Sequence, residues 1–284
     1  MVNSFIKNRF FCLLLFLNSP VFITAMPLKL ATYNIRAGLD SSIVSVGDAI
    51  RLLDPDIIAV QEIDESNERS SGVSQVNKLS EITGMKYVHF CYASNYRKGQ
   101  DGHAILSKFP FDESSKLNLK LDRIFDKEER SVCTAEVTLP SGALSSEKRK
   151  VIIASAHLGL KDNAHHVQSM MSKLKYIGQE RDIFLLGDLN LTPEEPSYSE
   201  LIDNNYKDVL PIEKRYDTFP AIKPIKRIDY IFFNKDYSNF NINVEDIWDP
   251  KYNVIDWSRI SDHYPVMVTI LPIPKVLFSR CNIF

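Results

Sequence analysis

The chain has 284 residues, of which 44% are hydrophobic and 25% charged, and a formal net charge of −2. That balance is ordinary for a globular protein with a sizeable core, and it excludes a disordered chain or a global basic field for nucleic acid or anionic lipid. It does not exclude an enzyme acting on phosphates, because divalent cations supply the positive charge that a phosphate needs.

The first 25 residues read as a separate element. Lys7 and Arg9 precede the apolar run 10–17, Asn18 and Pro20 break the apolar character after it, and Ala25 offers a small residue at the end. That order describes a secretory signal removed after Ala25. The run is far shorter than the roughly 20 residues a spanning helix needs. An exported protein, periplasmic or extracellular, is expected, with one domain over residues 26–284. Without Lys7 and Arg9 the formal charge is −4. Outside the signal stand Cys91, Cys133 and Cys281. A single bridge between Cys91 and Cys133, or three free buried thiols, both suit that odd count.

From residue 28 strands and helices alternate. Residues 28–34 form a strand ending at Asn34. Ser41 or Ser42 caps a helix running to Leu53, with Ile43, Val46, Ile50 and Leu53 on one face. Residues 56–62 are a second buried strand with Glu62 at its end. A polar loop over 64–72 and a short helix over 75–83 come next. Strands at 87–93, 104–106, 116–121, 131–139 and 151–157 make up the middle, with a loop over 94–102. Residues 164–177 read as a helix whose Met170 and Met171 are core filler. The run 183–188 is a strand buried on both faces, and strand alternation puts Asp188 and Asn190 on one side. A helix near 196–202 and strands at 228–233, 242–247 and 263–271 complete one mixed α/β domain.

Polar groups recur at the ends of these strands: Asn34, Glu62, His157, Asp188 with Asn190, Asp229, and Asp262 with His263. Taken singly, each is a turn residue, a solvated charge or a satisfied core histidine. Six such ends in one chain call for another cause. If they converge in a cleft, the charged ones need partners, and a hard divalent cation is the natural one.

The segments 32–35 (Thr-Tyr-Asn-Ile), 60–62 (Val-Gln-Glu), 102–107 (Gly-His-Ala-Ile-Leu-Ser), 155–158 (Ser-Ala-His-Leu), 187–190 (Gly-Asp-Leu-Asn), 227–230 (Arg-Ile-Asp-Tyr) and 261–266 (Ser-Asp-His-Tyr-Pro-Val) together resemble the endonuclease/exonuclease/phosphatase superfamily, typified by deoxyribonuclease I. The resemblance implies a four-layer αββα sandwich of two mixed sheets with the site at one end. It also implies hydrolysis of a phosphate ester with Mg²⁺ or Mn²⁺. Carried onto this sequence, it makes Glu62 the main metal ligand with Asn34 nearby. Asp188 and Asn190 orient water and phosphate or hold a second metal, and Asp262 is a metal-side carboxylate. His263 acts on the phosphoryl group with Asp229 behind it, and His157 is the second imidazole on the phosphate. His103 departs from a common bacterial pattern with Asn at that place.

The pair of histidines resembles deoxyribonuclease I and the sphingomyelinases, and fits the exonuclease III-like and inositol 5-phosphatase branches poorly. Nucleic acid is therefore the first expected substrate, and Tyr96, Arg97, Lys98 and Arg69 are its expected contacts. A phospholipid head group is the alternative, for which Trp248 and Trp257 mark a membrane-facing rim unless they are core or edge residues. A non-enzymatic binding protein comes last. No obligate protein partner is evident, and a monomer is expected.

Overall fold

A computed structural model describes residues 26–96, 98–122, 124–178, 181–210, 216–235, 238, 240–245, 249 and 251–273. The expected signal at 1–25, Arg97, Trp248 and Cys281 lie outside the described residues. Among the described residues no helix is long and apolar enough to cross a membrane.

Twelve strands form two six-stranded mixed sheets. In the first, β1 (Leu28–Asn34) runs parallel to β2 (Ile57–Glu65) and antiparallel to β12 (Val266–Pro272). Strand β11 (Phe240–Val244) forms one edge, and the hairpin of β3 (Tyr87–Tyr96) and β4 (Gly99–Ser107) the other. The second sheet has the order β5 (Leu117–Lys120), β6 (Ser131–Leu139), β7 (Arg149–His157), β8 (Asp182–Asp188), β10 (Asp229–Phe233), β9 (Lys207–Asp208).

Strand alternation builds the layers. Leu28, Leu30, Ile57, Ala59, Val268 and Ile270 of the first sheet pack against Val137, Ile153, Phe184, Leu186 and Ile231 of the second. The opposite parity of the first sheet (Ala31, Tyr33, Ile58, Val60) meets α1 (Ile43–Leu53) and α2 (Gln75–Thr83). That of the second sheet (Ile152, Ala154, Leu185, Phe232) meets α3 (Asn163–Gly178) and α4 (Pro196–Asp203). The expected four-layer αββα sandwich is therefore present, held by apolar faces buried on both sides of each sheet.

Helix α1 begins where the Ser42 hydroxyl accepts the Ser45 N–H and ends at Asp54, which is left-handed at φ 52° ahead of Pro55. Several expectations need correction. Residues 94–102 are not a free loop, because β3 and β4 pair as far as Tyr96 and Gly99. The last strand starts at Val266 rather than at His263, β11 ends at Val244, and β9 had no signal in the sequence. Trp257 is buried, edge-on to Tyr33, so it belongs to the core and marks no rim. Cys91 and Cys133 form a disulfide that ties the two sheets together.

Candidate active site

The inward-facing parity that supplies the core also supplies the site. Along β1 the inner positions run Leu28, Leu30, Thr32, Asn34; along β7, Val151, Ile153, Ser155, His157; along β8, Phe184, Leu186, Asp188. Apolar side chains fill the middle of the sandwich, and the last inner position of each strand is polar. Parallel pairing of β1 with β2 and of β7 with β8 brings those last positions to one end. Antiparallel β10 adds Asp229, directly opposite Asp188.

Just below the mouth lies a polar layer. Thr32 donates to Gln61, and Gln61 donates to Ser155 in the other sheet. The buried ring of His103 bridges Ser155 at Nδ1 and Ser131 at Nε2. Burial, with Arg130 and His89 adding positive charge, pushes the His103 pKa down to about 3. This histidine joins the sheets as a neutral group and takes no place at the mouth.

Two local irregularities complete the site. Gln61 pairs with His103 and Ile63 with Gly102, so Glu62 is the extra residue of a β-bulge, at φ 55°. Regular alternation from Ala59 would have aimed Glu62 at the helices. The bulge turns it to Asn34 instead. At Gly187 (φ 151°) a Cβ would lie 1.9 Å from the Ala156 carbonyl oxygen, so only glycine lets β8 approach β7 this closely beside Asp188.

Asp188 is the hub. The Asn34 amide donates to Glu62 Oε1 and to Asp188 Oδ2, each at 3.0 Å, and so links the two carboxylates. The Asn34 side-chain oxygen Oδ1 accepts the Arg36 N–H, so Asn34 is fixed in place and sets the spacing of the two acids. Nε2 of His157 and Nε2 of His263 stand 3.6 and 3.7 Å from Asp188 Oδ2. Burial, reinforced by the charge on Asp229, raises the Asp188 pKa to about 7 against the opposing pull of His263 and Asn34.

The two imidazoles are prepared differently. His263 Nδ1 is 2.9 Å from Asp229 Oδ2, which also accepts the Thr218 hydroxyl, and the Phe219 ring packs on His263. Burial disfavours its charge, yet Asp229, Asp188 and Asp262 outweigh that and raise its pKa to about 10. His157 lies under Arg130, whose Nη1 is 3.0 Å from Nδ1 and 3.3 Å from Nε2. Burial first, and then the Arg130 charge, hold its pKa well below the ordinary histidine value.

Arg130 is not among the residues expected at the site, because it belongs to none of the motif segments and its charge reads as solvated in the sequence. The position does carry a signal, since it enters the second sheet beside the ends of β7 and β8. Other expected residues are placed otherwise. Strand β8 stops at Asp188, and Asn190 is left-handed at φ 50°, so alternation does not bring it alongside. Its N–H instead donates to Asp188 Oδ1 and its amide to the Leu158 carbonyl, next to His157. The Asp262 carboxylate lies 3.5 Å from Arg36 Nε, and its charge also acts on His263.

Of the expected nucleic-acid contacts, Arg69 is engaged within the protein, while Tyr96 and Lys98 stay exposed. Arg69 pairs with buried Asp64 and with Asp101 at 2.8 Å each, and its guanidinium stacks on Tyr96. Lys98 stands 3.8 Å from Glu68.

The donor set fits a hard divalent cation. Glu62, Asp188 and Asp229 are oxygen donors in one small volume, and Asp229 Oδ1 is buried without a partner. Leaving such an atom unsatisfied costs about 1–3 kcal/mol. Asp188, Asp229 and His263 also lie close enough to hold an ion together. The Nδ1 contact to Asp229 makes His263 a proton-handling partner of that acid, which leaves Glu62 and Asp188 as the better seat for a divalent cation.

The model of the endonuclease/exonuclease/phosphatase family matches residues 31–263. No curated protein matches the sequence. Solved structures of similar fold include an endonuclease/exonuclease/phosphatase family protein from Leptotrichia buccalis (18% identity, TM-score 0.65, covering 86% of this chain and 99% of that one). The human Nocturnin catalytic domain with bound sulfate is similar at 17% identity and TM-score 0.63, covering 86% and 94%. The mannosyl-6-phosphatase of Bacteroides thetaiotaomicron stands at 17% and 0.62, covering 86% and 99%. At these identities the likeness is one of fold.

Proposed function

Because the chain belongs to the endonuclease/exonuclease/phosphatase family, whose members hydrolyse phosphate esters with divalent metal, we propose that it is a Mg²⁺- or Mn²⁺-dependent phosphodiester hydrolase. One observation carries the reading: Asn34 links Glu62 to Asp188 while two imidazoles meet at Asp188 Oδ2, His263 backed by Asp229 and His157 by Arg130. A bound cation withdraws charge from the phosphoryl oxygens and acidifies water. Glu62 and Asp188 hold it, with Asn34 fixing their separation. His263, kept as imidazolium by Asp229, donates a proton to the phosphoryl or leaving oxygen. Arg130 places a fixed positive charge for the phosphoryl oxygens beside neutral His157. Asn190 ties the end of β8 to the end of β7 and so keeps Asp188 and His157 in register.

Nucleic acid is the first substrate for this chemistry. A phospholipid head group is the second, favoured by the exposed apolar loop tips that flank the site. Export through the 1–25 signal to the periplasm or beyond suits the Cys91–Cys133 bridge, since disulfides persist in oxidising compartments. The protein acts as a monomer in this reading.

Hydrolysis of bis(p-nitrophenyl) phosphate with Mn²⁺, abolished by EDTA, tests the reaction class, and plasmid nicking against choline-phosphate release tests the substrate. If no phosphate ester is cleaved with either metal, the proposal fails.

A further inference from the structure

Among the described residues, eight large apolar side chains are more than half exposed, and all but Tyr176 sit on connections that leave the site end of the sheets. Three of these flank the two histidines. Leu160, 77% exposed, lies three residues after His157, and Phe125, 67% exposed, lies on the connection into Arg130. Ile222, 87% exposed, is next to Ala221, whose N–H bonds the Asp262 carbonyl beside His263.

These tips are held out by fixed backbone. The Asp162 carboxylate accepts N–H groups from Ile124, Phe125 and Asp126, while the Asp126 carboxylate accepts those of Lys161 and Asp162. Phe219 and Lys226 close the third loop as an antiparallel bridge. The tips therefore stay exposed because the Phe125 and Leu160 loops are stapled to each other and the Ile222 loop is closed on itself. Beside them stand Lys161, Lys223 and Lys226, all exposed, with no carboxylate partner among the described residues. The acids of the same loops keep their charge but are tied down: Asp126 and Asp162 by backbone amides, Glu128 by Arg130, Glu129 by Lys120 and Asp122 by Lys173.

We propose that this rim seats the protein on an anionic phospholipid surface, with Phe125, Leu160 and Ile222 entering the headgroup layer and Lys161 and Lys223 facing its phosphates. Apolar tips alternating with cations suit the membrane interface, where both components contribute to binding. Leucine and isoleucine offer no face on which a base stacks, which disfavours single-stranded nucleic acid as the occupant. A protein lying on this rim would close the mouth to substrate, whereas a bilayer presents phosphate esters to it. The proposal rests on the phosphodiester-hydrolase reading and deepens its phospholipid alternative.

The test is co-sedimentation of the full chain with vesicles of phosphatidylcholine alone or mixed equally with phosphatidylglycerol. Hydrolysis of soluble bis(p-nitrophenyl) phosphate and the thermal transition are measured in parallel. The 10–17 segment is common to every variant, so the readout is the difference between variants. The Phe125→Ser, Leu160→Ser, Ile222→Ser variant is expected to bind mixed vesicles about tenfold less well than the wild type, given the apolar surface removed. Lys161→Glu with Lys223→Glu is expected to lose the preference for phosphatidylglycerol, at about fivefold per lysine. Both variants keep soluble hydrolysis and melting near wild type. Vesicle binding that is absent, or unchanged in both variants, overturns the proposal. So does a wild-type dimer that dissociates in the serine variant, or oligonucleotide binding lost in these variants without vesicle binding. Vesicle binding that tracks the variants in a protein with no hydrolysis of the soluble ester upholds the rim and removes the proposed reaction.

Discussion

The two sides of Asp188 carry the same side chain in opposite states. On one side a carboxylate backs His263 and keeps it protonated through neutral pH; on the other a guanidinium covers His157 and keeps it neutral. Burial opposes charge on both rings, so the difference comes from the charges around each: Asp229, Asp188 and Asp262 about His263, and Arg130 about His157. A pair of histidines in a motif therefore says little about roles until the neighbours of each ring are known.

The strongest challenge to this contrast is removal of its hub or its charged arm. Asp188→Ala and His263→Ala are each expected to lower kcat by about a thousandfold, within the range for a lost acid–base group, with the thermal midpoint largely kept. Near-wild-type turnover in either variant would dismantle the site. Next in size is Asp229→Asn, with an expected loss of about a hundredfold and a change in the pH profile. The Asp229 charge raises the His263 pKa, so without it the imidazolium deprotonates at lower pH and the alkaline limb of kcat moves down. An unmoved limb would assign that limb to another group.

On the neutral side, Arg130→Gln is expected to cost about a hundredfold in kcat, in keeping with one lost electrostatic contact to the phosphoryl group. It should also move the His157 pKa up toward the ordinary value, readable by NMR titration of the ring. A fixed His157 titration would show that burial alone sets it.

The smallest effect on activity is expected beneath the site. His103 has a folded pKa of about 3, below the unfolded value of roughly 6.5. The unfolded chain thus binds a proton that the folded chain refuses, and stability is full above about pH 6.5. It declines as pH falls toward 3, by up to about 1.4 kcal/mol per pH unit. His103→Asn should flatten that decline in urea titrations while leaving kcat within about twofold. A large loss of turnover would instead place His103 in the chemistry.

Much of the fold was legible because a buried sheet imposes period two on its sequence. Runs such as residues 57–60 and 183–186 announce strands, and Ser42 announces α1 through its hydroxyl. The strand-end residues Asn34, His157, Asp188 and Asp229 were legible for the same reason, as the last inward position of an otherwise apolar face. Arg69 misled because a cation looks available in sequence whether or not acids elsewhere claim it; Asp64 and Asp101 do.

The amino-acid sequence by itself determined the layers, the end of the sandwich that carries the chemistry, and the residue types gathered there, since periodicity and motif order are properties of the chain. Tertiary structure alone decided that a bulge turns Glu62 inward, that Asp262 pairs with Arg36, that Arg130 stands over His157, and which histidine carries the proton. Those outcomes depend on distances between groups far apart along the chain, and electrostatic energy depends on distance in space, not separation in sequence.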